Sequence, residues 1–290
     1  MPDTYRLPKE QRAFAFDARL PVALEIEPGS VVTFQTGDVA YSRLAAGEAV
    51  AAIGLENFNA VTGPVYVRGA QPGDALSVEV LDIQIARAWS VWLPGFGGLG
   101  AHTAEMRVMQ TPIEDGRVFI TDTLSVPLEP MIGCLGVAPA SGAASTFMPA
   151  YPHGGNLDLR EMSPGATLYL PVQVAGALFA MGDLHAAMGA AEPTWVSLEA
   201  SGEATLRLDV VKGLQLDYPR LRVGSDMLCL GMGATLEQAH QCALDHAWTY
   251  LTRDLGLEPF AAYAYASARV SMRLGGPACP LVLAVVPDVG

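Results

Sequence analysis

One turn is written three times in this chain, and it constrains the fold more than any other feature. Glu27-Pro28-Gly29-Ser30 runs into Val31-Val32-Thr33-Phe34. Gln71-Pro72-Gly73-Asp74 runs into Ala75-Leu76-Ser77-Val78-Glu79-Val80. Ser163-Pro164-Gly165-Ala166 runs into Thr167-Leu168-Tyr169-Leu170. Proline then glycine at the two central positions is the chemistry of a type II turn, because glycine tolerates the positive φ required there. The residues after each turn are β-branched, aromatic or alternating, as in a strand. Leu76, Val78 and Val80 share a face, and Ile83 and Ile85 resume it one residue out of phase, which predicts a β-bulge. The second and third turns also follow similar runs, Val65-Tyr66-Val67-Arg68 and Leu157-Asp158-Leu159-Arg160. The pattern predicts a two-strand unit repeated in half-chains of one β-architecture.

Further strands are expected at Thr194–Ala200, Ala204–Val211 and Met227–Leu230, with Gly202 turning between the first two. Helical signal comes late. Thr235-Leu236-Glu237-Gln238 is a capping box. Leu236, Ala239, Ala243, Ala247, Leu251 and Leu255 recur at helical spacing, and Gly256 stands at the C′ position. A second helix begins with Pro259 in its first turn and runs to about Arg273. The expectation is a mainly β, α+β chain of one unit over 1–290, with a β-rich body at about 20–232 and a helical segment at about 235–273.

Charge and lysine content exclude whole classes of chemistry. Thirty acidic residues against 17 basic ones give a net charge of -13 with no basic run, so nucleic acid and anionic membranes are poor partners. Only Lys9 and Lys212 are lysines. Schiff-base chemistry, a Walker A loop or a lysine-dependent amidase triad would need one of them, and neither lies in a suitable motif. No G-x-S-x-G elbow is present. Cys134, Cys229, Cys242 and Cys279 stand far apart, as small buried residues of a reducing compartment do. Residues 1–12 are polar, and the longest uncharged runs are broken by Gly and Pro, so the expectation is a soluble cytoplasmic chain.

Metal-capable residues cluster at Pro152-His153-Gly154-Gly155-Asn156-Leu157-Asp158, at Gly182-Asp183-Leu184-His185 and at Glu192. Imidazole with carboxylate suits a divalent ion such as Zn²⁺. Equally, the two histidines can be separate hydrogen-bonded loop residues and the acids surface charges. Gly95-Phe96-Gly97-Gly98-Leu99-Gly100 contains G-x-G-x-x-G, but no crossover helix follows, so dinucleotide binding fails. The loop either lines a small-ligand pocket, with Trp89, Trp92 and Phe96 as apolar walls, or is a plain turn. Glu237 with His240, and Asp245 with His246, read as solvated positions on the first helix. Cys134 reads as buried rather than nucleophilic.

Taken together, several motifs resemble the acetamidase/formamidase family. Val61-Thr62-Gly63-Pro64-Val65-Tyr66-Val67 through Gln71-Pro72-Gly73-Asp74 is the first, and Leu93-Pro94-Gly95-Phe96-Gly97 the second. Met131-Ile132-Gly133 with Gly136-Val137-Ala138-Pro139, His153-Gly154-Gly155-Asn156-Leu157-Asp158, Thr167 to Val172 and Gly182-Asp183-Leu184-His185-Ala186-Ala187 follow in the family's order. The match spans roughly residues 20–290. The resemblance implies sandwich-like β-sheets, homo-oligomers, and cytoplasmic hydrolysis of short-chain amides such as formamide or acetamide to carboxylate and ammonia. It implies a divalent metal less directly. His153, Asn156, Asp158, Asp183, His185 and Glu192 match the family pattern.

The working mechanism places a divalent ion, Zn²⁺ for preference, on His153, Asp183 and His185. Glu192 relays the proton, and Asn156, with Asp158 beside it, or backbone N–H groups near Gly154 and Gly155, serves the reacting amide. Trp92, Phe96, Gly97, Gly154, Gly155 and Met188 are the expected pocket. The chain departs from the family at Leu184, Met188 and Ala190, and has Ala13 and Phe16 where a His and a Trp are common. Those departures leave two other readings: a hydrolase of a bulkier or cyclic amide, and a small-molecule binding protein with weakened catalysis.

Overall fold

The structure, a computed structural model, describes residues 3–289. Its spine is an antiparallel pair of long strands, Ala75–Trp92 and Leu198–Val211. The expected bulge is present: Thr205 faces Asp82 and Leu206 faces Val80, so Leu81 is extra. A second slip lies at Ala86, between Ser201 facing Arg87 and Gly202 facing Ile85. Bulges add twist, and the antiparallel sheet curls on itself around a large apolar core. The chain is mainly β with few helices, as the turn pattern predicted.

The two repeated turn-strand units pair with each other. Ala166–Pro171 runs antiparallel to Ala75–Glu79, Leu168 opposite Val78. The first unit, Ser30–Gln35, lies on the other side of the spine against Glu203–Leu208. The runs before the second and third turns are not alike. Val61–Val67 is a strand, whereas Leu157–Arg160 is not. Leu157 and Leu159 are still fully buried, but Asp158 has φ 45 and breaks the extended path.

Gly202 lies inside one continuous strand instead of turning between two. A Cβ there would meet the Gln84 carbonyl oxygen at 2.0 Å, so the residue admits the close approach of the spine strands. The stretch 194–197 is a loop, because Trp195 has φ 59. Strands also lie outside the expected body. Thr4–Leu7 runs parallel to Ser30–Gln35, and Leu281–Val286, an uncharged run buried throughout, pairs with Asp226–Met232.

The helix Leu236–Thr249 starts where the capping box predicts, Thr235 Oγ1 accepting from the Gln238 N–H at 3.2 Å. It lays Ala239, Ala243 and Ala247 on the strands Asp226–Met232 and Leu281–Val286. The next helix, Pro259–Arg269, ends short of Arg273, because Ser271–Leu274 is drawn into the sheet against Val282–Val285. Among the described residues no helix is long and apolar enough to cross a membrane.

Candidate functional site

Strand geometry accounts for the centre of the site. Asp183 and His185 are two residues apart on Phe179–Ala187, so they share a face. Glu199 is the cross-strand partner of His185. His185 Nε2 stands 3.5 Å from Asp183 Oδ1 and 3.6 Å from Glu199 Oε2. Asp158 and Glu192 complete the cluster from two loops. One donor atom each from Asp158, Asp183 and His185 lie within 4.8 Å of one another, as do those of His185, Glu192 and Glu199. His185, Asp158, Glu192 and Glu199 are all buried.

The backbone is bent to make this cluster. Asp158 (φ 45), Asp183 (φ 58) and Glu192 (φ 39) all occupy the left-handed region, as do Ala191 and Trp195 beside Glu192. Each such residue costs on the order of 1 kcal/mol or more, and such positions gather at functional sites. Gly133 supplies the room. A Cβ on it would lie 2.5 Å from Asp183 Oδ2 and 2.6 Å from Asp158 Oδ1.

Electrostatics follow from burial and crowding. Burial favours a neutral His185, but the Glu199 and Asp183 carboxylates outweigh it and hold the imidazole well above its ordinary pKa. Glu192 is pushed up to about 8 by burial against the pull of His185, with Glu199 and Asp183 adding to the rise. Burial, Glu192 and Asp183 raise Asp158 well above the carboxylate range. Neither Asp158 oxygen meets a protein donor, and His185 Nδ1 has no partner among the described residues. The carboxyl beside Asp158 is that of Glu192, so the two can bond only by sharing a proton.

Neighbouring donors hold the acids in place. Tyr41 Oη donates to Glu199 Oε2 at 2.8 Å, and the Ser197 N–H donates to Glu199 Oε1 at 2.9 Å. Asn59 Nδ2 donates to Asn156 Oδ1 at 3.0 Å and to Asp183 Oδ2 at 3.1 Å. The cluster floors a cavity of about 260 Å³ whose walls include Leu44, Phe58, Val91, Phe96, Phe147 and Trp195.

The structure brings together Asp158, Asp183, His185 and Glu192, with Asn156 at the edge of the cavity. It does not bring in His153. That ring stacks on Tyr151 at 5.1 Å and meets the edge of Phe16 at 6.1 Å, and it belongs to neither donor set. Gly154 and Gly155, at φ 108 and 111, fit the backbone against Leu135, Gly136 and Tyr151 and do not line the cavity.

Of the expected pocket residues only Phe96 lines it. Trp92 turns outward under Arg107, Trp89 is buried with its Nε1 donating to Asp38 at 2.8 Å, and Met188 is buried off the cavity. Gly97 instead buttresses the Glu192 loop. A Cβ there would overlap the Thr194 carbonyl, and the Gly98 N–H donates to the Pro193 carbonyl at 3.1 Å. The departures from the family pattern also lie off the cavity: Leu184 is in the main core, and Ala13 and Phe16 pack with Cys134 and Ala144. Cys134 is buried, as expected, and burial pushes its thiol up.

Glu199, Tyr41 and Asn59 were not singled out from the sequence. Glu199 lay inside a stretch read only as strand, although its register opposite His185 is the signal that would have found it. His246, read as solvated, is buried. It accepts from Arg220 Nε at 2.8 Å, and its Nδ1 lies 3.0 Å from the Leu230 carbonyl.

A curled, mainly β chain thus encloses a buried acid–imidazole cluster beneath a cavity of small-molecule size. The chain belongs to the acetamidase/formamidase family, whose model matches residues 8–143 and 136–227. The fold is similar to an acetamidase from Bacillus halodurans, 34% identical with TM-score 0.88 over 97% of this chain and 95% of that one. It is also similar to a predicted acetamidase/formamidase from Thermoanaerobacter tengcongensis, 28% identical with TM-score 0.91 over 99% and 96%. A formamidase of Methylophilus methylotrophus is 24% identical over 67% of this chain; the chain spans 62% of that relative's length.

Proposed function

We propose that this chain hydrolyses the C–N bond of carboxamides, releasing a carboxylate and ammonia, with a divalent cation assisting. The observation that carries the reading is the buried cluster of Asp158, Asp183, Glu192 and Glu199 around His185, opening on the cavity of a chain in this family. Four ionised acids against one imidazolium leave an uncompensated negative charge that a buried site cannot hold without protons or a cation.

The residues fit a cation. Asp158 presents two oxygens with no donor, and one imidazole among carboxylates is a donor set that Zn²⁺ accepts. Asp183 and His185 with Asp158, or His185 with Glu192 and Glu199, would hold it. Bound there, it would supply a Lewis acid for the amide carbonyl and lower the pKa of a water.

The chain's own groups do the rest. Glu192, near pKa 8, exchanges a proton around neutrality, so it can take one from water and give it to the departing nitrogen. That donation matters because an unprotonated amide anion is a very poor leaving group. Asn59 occupies Asn156 Oδ1 and leaves the Asn156 amide nitrogen to an oxyanion. Tyr41 and Ser197 fix Glu199, and Asn59 fixes Asp183. The test is ammonia release with and without chelator, coupled to elemental analysis of untreated protein. Metal bound at one equivalent and activity lost with it support the reading. Full activity in metal-free protein removes the cation, and no ammonia from any amide removes the hydrolysis. The family resemblance also points to a homo-oligomer residing in the cytoplasm.

A further inference from the structure

The cavity walls say more than the floor. Between the strands Ser30–Gln35 and Val61–Val67 the chain inserts three short helical turns, Val39–Ala45, Val50–Ile53 and Leu55–Asn57. They pack as a small apolar cluster of their own, with Leu44, Ile53, Val50 and Phe58 against Val91 and Val108. This insert forms one wall of the cavity. Phe96 and Trp195, edge to face at 5.6 Å, stand in the facing loops. Polar lining comes from the acid cluster, Tyr41, Asn59 and Asn156, and Tyr41 Oη is already committed to Glu199. No arginine or lysine lines the cavity among the described residues.

Resting on the amide-hydrolase reading, we infer that the substrate is a neutral carboxamide with a bulky apolar acyl group, aromatic or branched, rather than formamide or acetamide. A cavity of about 260 Å³ lies just below the range of small-molecule pockets. A two-carbon amide would leave most of it to water held against aliphatic and aromatic walls, while an aryl or branched acyl group would bury those walls. An acyl group bearing a carboxylate would bury that charge against apolar walls with no cation to meet it there, so the site rejects it.

The test compares kcat/KM for acetamide, phenylacetamide and succinamate, and the dissociation constants of acetate and phenylacetate. Phenylacetamide is expected to exceed acetamide by about tenfold to a hundredfold, with succinamate lowest. Phe96→Ala is expected to narrow the phenylacetamide-to-acetamide ratio about fivefold or more, chiefly through KM. Acetamide preferred over phenylacetamide, with ammonia released from both, overturns the inference and leaves amide hydrolysis standing. If no amide releases ammonia, hydrolysis falls and binding decides alone. Phenylacetate at least tenfold tighter than acetate then upholds the apolar acyl site, and equal or weaker binding overturns it.

Discussion

Two of the buried histidines, His185 and His246, are driven in opposite directions by their surroundings. His185 lies among four carboxylates, which hold it above its ordinary pKa although burial opposes them. His246, on the helix Leu236–Thr249, is driven down to about 4 by burial and by the neighbouring Arg220 guanidinium. Its bonds are complete: Nε2 accepts from Arg220 Nε and Nδ1 faces the Leu230 carbonyl, so one neutral tautomer fits. Arg220 Nη1 meets Asp254 and the guanidinium lies over the Tyr250 ring, while Nη2 has no hydrogen-bond partner among the described residues. The His185 cluster has unpartnered atoms and left-handed backbone; the His246 cluster joins helix to sheet. Burial alone therefore does not mark a functional histidine. The excess of carboxylates around His185 is what sets it apart.

The largest expected difference is in activity. His185→Ala should lower kcat/KM for amide hydrolysis by about 10³-fold or more and release bound metal, since it removes the residue shared by both donor sets. His246→Ala shares no contact with the cavity and should keep activity per folded molecule within about twofold. Ammonia release normalised to folded protein by circular dichroism checks both, and equal losses would break the comparison.

The next difference is in how stability depends on pH. His246 binds protons more weakly folded than unfolded, so its neutral form stabilises the fold fully above 6.5. That contribution is lost as pH falls from 6.5 through about 4, an interval worth about 3 kcal/mol. Glu192 runs the other way. Raised from 4.5 to about 8, it binds its proton more tightly in the folded chain. Metal-free protein should therefore lose stability as pH rises from 4.5 through about 8, and a bound cation should flatten that slope. Urea midpoints between pH 4 and 9, with and without chelator, read both limbs; the alkaline limb should be smaller in Glu192→Gln.

Gly133→Ala should come third. Its Cβ would push on Asp183 Oδ2 and Asp158 Oδ1 together, and overpacking of this kind costs about 2 kcal/mol. Metal affinity should fall with it, measured by competition with a chelator of known affinity. Gly29→Ala meets no atom within 4 Å, but φ 82 strains it in the first repeated turn, so it should lower stability and leave metal affinity alone.

These residues also show what the sequence could and could not reveal. The bulge at Leu81 and the start of the helix at Leu236 were readable because alternation and capping act within a few residues. Leu157–Arg160 and Thr194–Ser197 have strand-like sequences but are not strands, because Asp158 and Trp195 adopt positive φ, which tertiary packing imposes and no local propensity announces. Asp183, His185 and Glu192 were found by chemical type and family resemblance. Glu199 and Tyr41 were missed because only sheet register and an inserted helical turn bring them to His185. His153 matched the family pattern equally well, yet its ring turns to Tyr151 and Phe16, a choice of face that spacing does not encode.

The smallest predicted effect tests the hydrogen bond from Tyr41 to Glu199. Tyr41→Phe keeps the ring that packs against Phe58 at 5.2 Å and removes only the hydroxyl donating to Glu199. Glu199 keeps the Ser197 N–H on its other oxygen, so the fold should lose only about 1 kcal/mol. With one donor gone, the Glu199 carboxylate is less well satisfied and its proton binds more tightly. The pH–rate profile should then shift to higher pH on its acid side, with a several-fold fall in kcat below neutrality and recovery above it. A uniform fall at every pH would make Tyr41 a packing residue only. An unchanged profile would place Glu199 outside the proton and cation chemistry, leaving Asp158, Asp183 and His185 as the donor set that matters.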